Sequence, residues 1–194
     1  NRIKAKVNIN PKELDNVLRV AATSVQGTMM RRVFNDGKDS KNGMIGSYST
    51  KPTLVGRSSF VNQGAWNRVF TNKKYGWVTF RGRKLKVLPG GYKQIRQLEG
   101  KETATVNLTR TGKLSKSLVV EPTANGYIIG FLPYGAKLSQ YQEDHWNKMI
   151  FAPSSNEKRI ITTIALFLQL TWVCVFYLNI NMKIVCTGFY FFFG

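Results

Sequence analysis

Val106-Asn107-Leu108-Thr109-Arg110-Thr111-Gly112-Lys113-Leu114-Ser115-Lys116-Ser117-Leu118-Val119-Val120 holds two registers joined by a glycine. Val106 and Leu108 alternate with polar neighbours, the pattern of a half-buried strand. Past Thr111-Gly112, Leu114 and Leu118 lie four apart and fit one helical turn against a core. Leu118-Val119-Val120 then runs into Glu121-Pro122. After Ala124-Asn125-Gly126 comes a second β-prone run, Tyr127-Ile128-Ile129-Gly130-Phe131. Asn-Gly between two such runs is a strong local hairpin signal. The stretch therefore predicts a strand, a helical turn and a hairpin ending at Phe131.

Working outward, Leu132-Pro133-Tyr134-Gly135-Ala136-Lys137-Leu138 leads into Tyr141-Gln142-Glu143-Asp144-His145-Trp146, which reads as a polar loop. His145 beside two acids invites a metal or catalytic reading. A zinc site needs three or four ligands at recognisable spacing, and the sequence has a single histidine. Ser139 lies nearby but no nucleophile motif surrounds it. Ser154-Ser155-Asn156-Glu157 has the serine-to-glutamate spacing of a capping box, and Ile160, Ile161, Ile164, Ala165 and Leu168 follow at helical spacing.

These residues carry a resemblance. The segment Leu108 to Leu118, the hairpin end Ile129-Gly130-Phe131, Tyr134, Ala136 and Ile150-Phe151-Ala152-Pro153-Ser154 resemble the tail-completion or virion-morphogenesis proteins of tailed bacteriophages, over roughly residues 76–164. The resemblance implies an α+β subunit, with an antiparallel sheet of hairpins, one long N-terminal helix packed across it and a shorter C-terminal helix. It implies assembly with itself as a homo-oligomeric ring at the neck or head-proximal end of the tail, beside other neck and tail proteins. The packaged DNA would pass through the channel. The place of the protein would then be the virion, after synthesis in the host cytoplasm.

Toward the N-terminus, Ile3, Ala5, Val7 and Ile9 alternate with Arg2, Lys4, Lys6 and Asn8, a period-two strand with a basic face. Asn10-Pro11-Lys12-Glu13 reads as a capped helix start. Leu14, Val17, Leu18, Ala21, Ala22, Val25, Met29 and Val33 give an amphipathic helix that ends at Asp36-Gly37. Its length would be ~36 Å at 1.5 Å per residue. From about 37 to 64 the composition turns to Gly, Ser, Lys and Asn, which suggests a long loop or arm that orders on a partner.

Ala65 to Phe70 suits a short helix or strand. Lys73 to Leu88 is the densest mixture of bases and aromatics, and Trp77-Val78-Thr79-Phe80 and Leu85-Lys86-Val87 flank Arg81-Gly82-Arg83 as a further hairpin. Lys73, Lys74, Arg81, Arg83, Lys84 and Lys86 are the candidate contacts to nucleic acid or to an acidic partner. The alternation equally describes aromatics facing a core and bases facing water. Tyr92 to Leu98 reads as a short helix stopped near Gly100. Trp66, Trp77, Tyr134, Trp146 and Phe151 are candidate subunit-interface anchors.

The chain has 194 residues, 29 Lys plus Arg against 10 Asp plus Glu, and a formal charge of +19. One domain over 1–164 accounts for this length. The charge favours acidic or polyanionic partners and says nothing of fold. Since a lumen lined with lysines would grip DNA, most bases are expected to face acidic neighbouring proteins or solvent. Cys174 and Cys186 are too few for a disulfide framework, which agrees with a reducing site of synthesis, and the start lacks the apolar core of a secretory signal.

Residues 165–194 form an apolar extension that reads as a membrane span, as strands buried between subunits, or as a tail of no functional significance. Ile160 to Leu178 is long enough for a membrane span, diluted by Thr162, Thr163, Gln169 and Thr171. Alternatively 172–180 and 183–193 are strands covered by another subunit. No phosphate-binding glycine loop, paired-carboxylate motif or metal spacing stands out, so no enzyme and no cofactor is expected. Structural virion protein is the leading expectation. A basic nucleic-acid-binding module and a small C-terminally membrane-anchored protein are the alternatives, a membrane partner being the less favoured.

Overall fold

A helix of twenty residues, α1 (Pro11–Met30), turns Ala21, Ala22, Val25 and Met29 inward and continues into a wider π-helical turn, Arg31–Asn35. That turn buries three consecutive residues, Arg32, Val33 and Phe34. The computed structural model describes residues 11–124, 126–170, 184–186 and 189–191. The basic strand expected at Ile3 to Ile9 and the cap expected from Asn10 lie outside them.

The elements that follow are β1 (Thr53–Val55), α2 (Gln63–Thr71), β2 (Trp77–Phe80), β3 (Arg83–Leu88), α3 (Gly91–Leu98), α4 (Lys113–Ser117), β4 (Leu118–Thr123), β5 (Gly126–Phe131), α5 (Pro133–Trp146) and α6 (Ser155–Leu170). Two short strands, β6 (Ile184–Cys186) and β7 (Phe189–Phe191), complete the set. The protein is α+β: α1 packs on the β4–β5 hairpin and on α6, and a three-stranded antiparallel sheet runs in the order β1-β3-β2.

Both expected hairpins form. Leu118 pairs with Phe131 and Thr123 with Gly126, while Trp77 pairs with Lys86 and Phe80 with Arg83. The second turn consists of Arg81 and Gly82, both left-handed at φ 49° and 72°. A two-residue hairpin turn of the primed type asks for that conformation at both positions.

The apolar residues gather in two clusters. The larger joins α1, the 118–131 hairpin and α6 through Val25, Met29, Val33, Ile129, Phe151 and Ile161. The smaller lies under the three-stranded sheet and holds Val55, Phe60, Ala65, Val69, Leu88 and Ile95. Tyr92 packs against both.

Four expectations are corrected. Val106 and Leu108 are not in a strand; Leu108 sits at φ 51°. The cause is Asn107, whose Oδ1 accepts from Thr109 N (3.2 Å), Thr109 Oγ1 (2.8 Å) and Arg96 Nη2 (3.0 Å). A side chain that captures local donors competes with a sheet ladder. The segment 133–146 is not a polar loop but α5, with Pro133 in its first turn and Asn147 left-handed at its end. It escaped detection because its inward stripe is small: Gly135 packs so closely on Ser117 that a Cβ would overlap the hydroxyl.

Residues 37–64 are mostly irregular, yet they do not reach outward as an arm. Ile45 and Tyr48 belong to the larger core and Val55 and Phe60 to the smaller. Finally, in place of the one strand expected over 183–193, the described residues Ile184–Cys186 pair antiparallel with Phe189–Phe191. Its expected partner at 172–180 lies outside the described residues. Among the described residues no helix is long and apolar enough to cross a membrane.

Candidate interaction surfaces

The strand β2 is the outer member of its sheet, and all four of its residues are exposed. Edge strands offer unpaired N–H and C=O groups to another chain, and proteins usually blunt them. Here the edge carries Trp77, Val78 and Phe80, each at least two-fifths exposed. A ladder of rings backs it: Phe60 to Trp66 at 5.8 Å, Trp66 to Phe70 at 5.8 Å and Phe70 to Trp77 at 5.5 Å. The structure thus joins two expected anchors, Trp66 and Trp77, through Phe70, a residue that sequence reasoning passed over. Apolar surface concentrated in this way marks contact sites more often than scattered exposure does.

The bases expected on this hairpin divide. Lys73, Lys74, Arg81, Arg83 and Lys84 are exposed. Lys86 is not available to a partner, which corrects its assignment as a contact. It is buried, its Nζ donates to Tyr75 O (2.7 Å) and Asn72 O (3.3 Å), and it lies 4.5 Å from the Trp77 ring centre. Phe151 is likewise corrected as an interface anchor. It fills the larger core, 4.9 Å from Phe131 and 6.3 Å from Phe34 by ring centres.

Tyr134 is exposed on α5, away from that ladder. Trp146 closes the same helix, lies over Gly46, and has its indole Nε1 buried without an acceptor among the described residues. It walls a groove of about 620 Å³, with Tyr48, Tyr92, Arg96, Arg110 and Tyr141 as other walls. Those residues come from four distant segments, and no local pattern marks them.

The two arginines are held differently. Arg110 gives Nε and Nη2 to the Glu99 carboxylate at 3.0 and 2.9 Å. Burial tends to raise the Glu99 pKa. The Arg110 fork, the Val61 N–H and the nearby Lys101 outweigh it and bring the value below the usual carboxylate range. Arg96 has no carboxylate within ion-pair distance among the described residues. It donates Nε to Glu102 O (2.9 Å) and Nη2 to Asn107, and its guanidinium lies 4.3 Å above the Tyr48 ring.

The polar residues around His145 are used structurally. Glu143 accepts from Ile150 N (2.7 Å) and Phe151 N (2.9 Å), capping the turn after α5. Asp144 accepts from Gln140, His145 stacks on Tyr141, and the Ser139 hydroxyl donates to Ala136 O. No hydrogen bond joins Ser139 to His145, and no group of three metal-ligating side chains forms among the described residues.

Comparison of the chain with family models, with curated proteins and with solved structures gives no match.

Proposed function

We propose that the chain is a structural subunit of a tailed-bacteriophage virion, assembling side by side into a ring at the neck or head-proximal tail end. The observation that carries the reading is β2, an unpaired edge exposed on both faces and backed by an aromatic ladder. A neighbour's strand or loop laid along it would satisfy the backbone and cover the rings. The resemblance of Leu108–Leu118, of the hairpin after it and of Ile150–Ser154 to virion-morphogenesis proteins supports the same reading. Side chains around His145 that cap and stack, rather than face one another, agree with a scaffold.

Native mass spectrometry and negative-stain imaging of the purified chain test this. Closed rings are expected. A monomer at every concentration tried would remove the proposal.

A second reading, a nucleic-acid-binding module, draws on the five exposed bases of the β2–β3 region. Salt-dependent binding of a monomer to random duplex DNA would favour it, because affinity gained by releasing counterions falls steeply with salt.

A further inference from the structure

We propose that the groove walled by Arg96 and Trp146 binds an acidic peptide segment of a partner protein. One carboxylate sits on the Arg96 guanidinium and a neighbouring apolar side chain lies against Leu108, Leu114 and Leu138. The inference goes beyond the assembly reading and does not require ring formation.

Charge within the groove is the first argument. Among the described residues no Asp or Glu lines it. Arg110 is paired with Glu99 outside the cavity, whereas Arg96 has no ion-pair partner among the described residues. Arg96 is 1% exposed, and its Nη1 has no protein acceptor among the described residues. Glu102 gives Arg96 its backbone carbonyl, while its carboxylate accepts from the N–H groups of Thr103 and Ala104 and feels the Arg96 charge without hydrogen-bonding to it. A guanidinium whose Nη1 is left unbonded by the protein can take an incoming carboxylate as its further acceptor.

Preorganisation is the second. Arg96 lies flat on Tyr48, Tyr48 meets Tyr92 edge-on at 5.6 Å, and Arg110 lies 5.4 Å over Tyr92. The guanidinium is thereby fixed before a ligand arrives, and a planar fork matches a carboxylate.

Shape selects the partner. Duplex DNA is a stiff rod with its phosphates on the outside, so they cannot descend to a guanidinium this buried. Bases of a single strand need open ring faces. Here the two rings beside the guanidinium, Tyr48 and Tyr92, each carry an arginine on one face. A side-chain carboxylate on a slim stem reaches Arg96, and the three leucines suit the apolar side chain beside it. The volume lies in the usual range of ligand sites, roughly 300–1,000 Å³.

The test is selection of displayed random short peptides on the intact chain at physiological ionic strength, followed by titration of the synthetic winners. Winners should pair an Asp or Glu with an aromatic or aliphatic neighbour. Arg96→Gln, and separately an amide in place of the peptide carboxylate, should weaken binding roughly 10–100-fold, the worth of a charge-assisted pair. Leu138→Asp, at a rim position 38% exposed where the fold tolerates change, should weaken it comparably with an unaltered melting curve. Arg83→Gln/Lys84→Gln should leave binding unchanged. Equal loss in that last variant would reduce the effect to bulk charge and overturn the site. Indifference to both groove variants would overturn it too. Arg96-dependent displacement of the peptide by inorganic phosphate or a short oligothymidylate would replace the peptide with a phosphate ligand.

Discussion

Arg32 and Glu157 form a buried two-pronged ion pair, Nε to Oε1 at 2.9 Å and Nη2 to Oε2 at 3.2 Å, across 125 residues of chain. Arg32 also donates to the carbonyls of Ile150 (2.9 Å), Ala152 (3.0 Å) and Lys38 (3.2 Å). Glu157 reciprocates with Ser154 at the start of α6. One guanidinium thus fastens the end of the first helix to the beginning of the last. Glu157→Ala leaves Arg32 buried and unpaired and should cost about 3–5 kcal/mol in urea unfolding. The double change Arg32→Met/Glu157→Leu should cost less than that single one, since no lone charge remains.

Acid should weaken the protein through Glu99. Its carboxyl titrates below the ordinary 4.5 in the folded chain, because Arg110 and Val61 N–H outweigh burial. The folded-state value being the lower one, this stabilisation is complete above the ordinary value and drains away as the pH falls through the folded-state value. Glu99→Gln should therefore lose about 1–3 kcal/mol at neutral pH. The gap to the parent chain should narrow as the pH drops below the ordinary value, as read from unfolding curves recorded across that range.

Lys86 and its exposed neighbours should behave oppositely. Lys86→Met strips a donor from the Tyr75 carbonyl and should cost about 1–3 kcal/mol. Arg83→Gln and Lys84→Gln, at exposed sites, should stay within about 0.5 kcal/mol of the parent chain. Thermal melts of the three variants side by side decide this.

The edge of the sheet should govern self-association. Val78→Lys and Phe80→Lys put charge on exposed residues of β2, a device that natural edges use against pairing. Both should lower the mass seen in native mass spectrometry to that of the single subunit while thermal stability changes little. Rings that persist in both variants would place the contact elsewhere.

Features set by neighbours in sequence were legible in it. The Asn125-Gly126 signal marked the first hairpin and the Arg81-Gly82-Arg83 stretch the second, and the three-residue spacing of Ser154 and Glu157 marked where α6 begins. Features set by distant partners were not. Nothing near Glu157 in the chain announces Arg32, and Lys86 looks like any other base until Tyr75 is folded beneath it. The helix α5 was hidden because Gly135 and Ser139, small enough for close approach, carry no hydropathic signal. The groove draws its walls from residues 47–49, 92–96, 108–114 and 138–146, so only the folded chain reveals it.

Tyr92 touches both apolar clusters, with its ring edge-on to Tyr48 on one side and the α2–β3 packing on the other. Neither half of the molecule can therefore loosen without disturbing the same aromatic side chain. Heat or denaturant should meet a single cooperative transition, in which a disturbance at the outer strand is felt at the first helix.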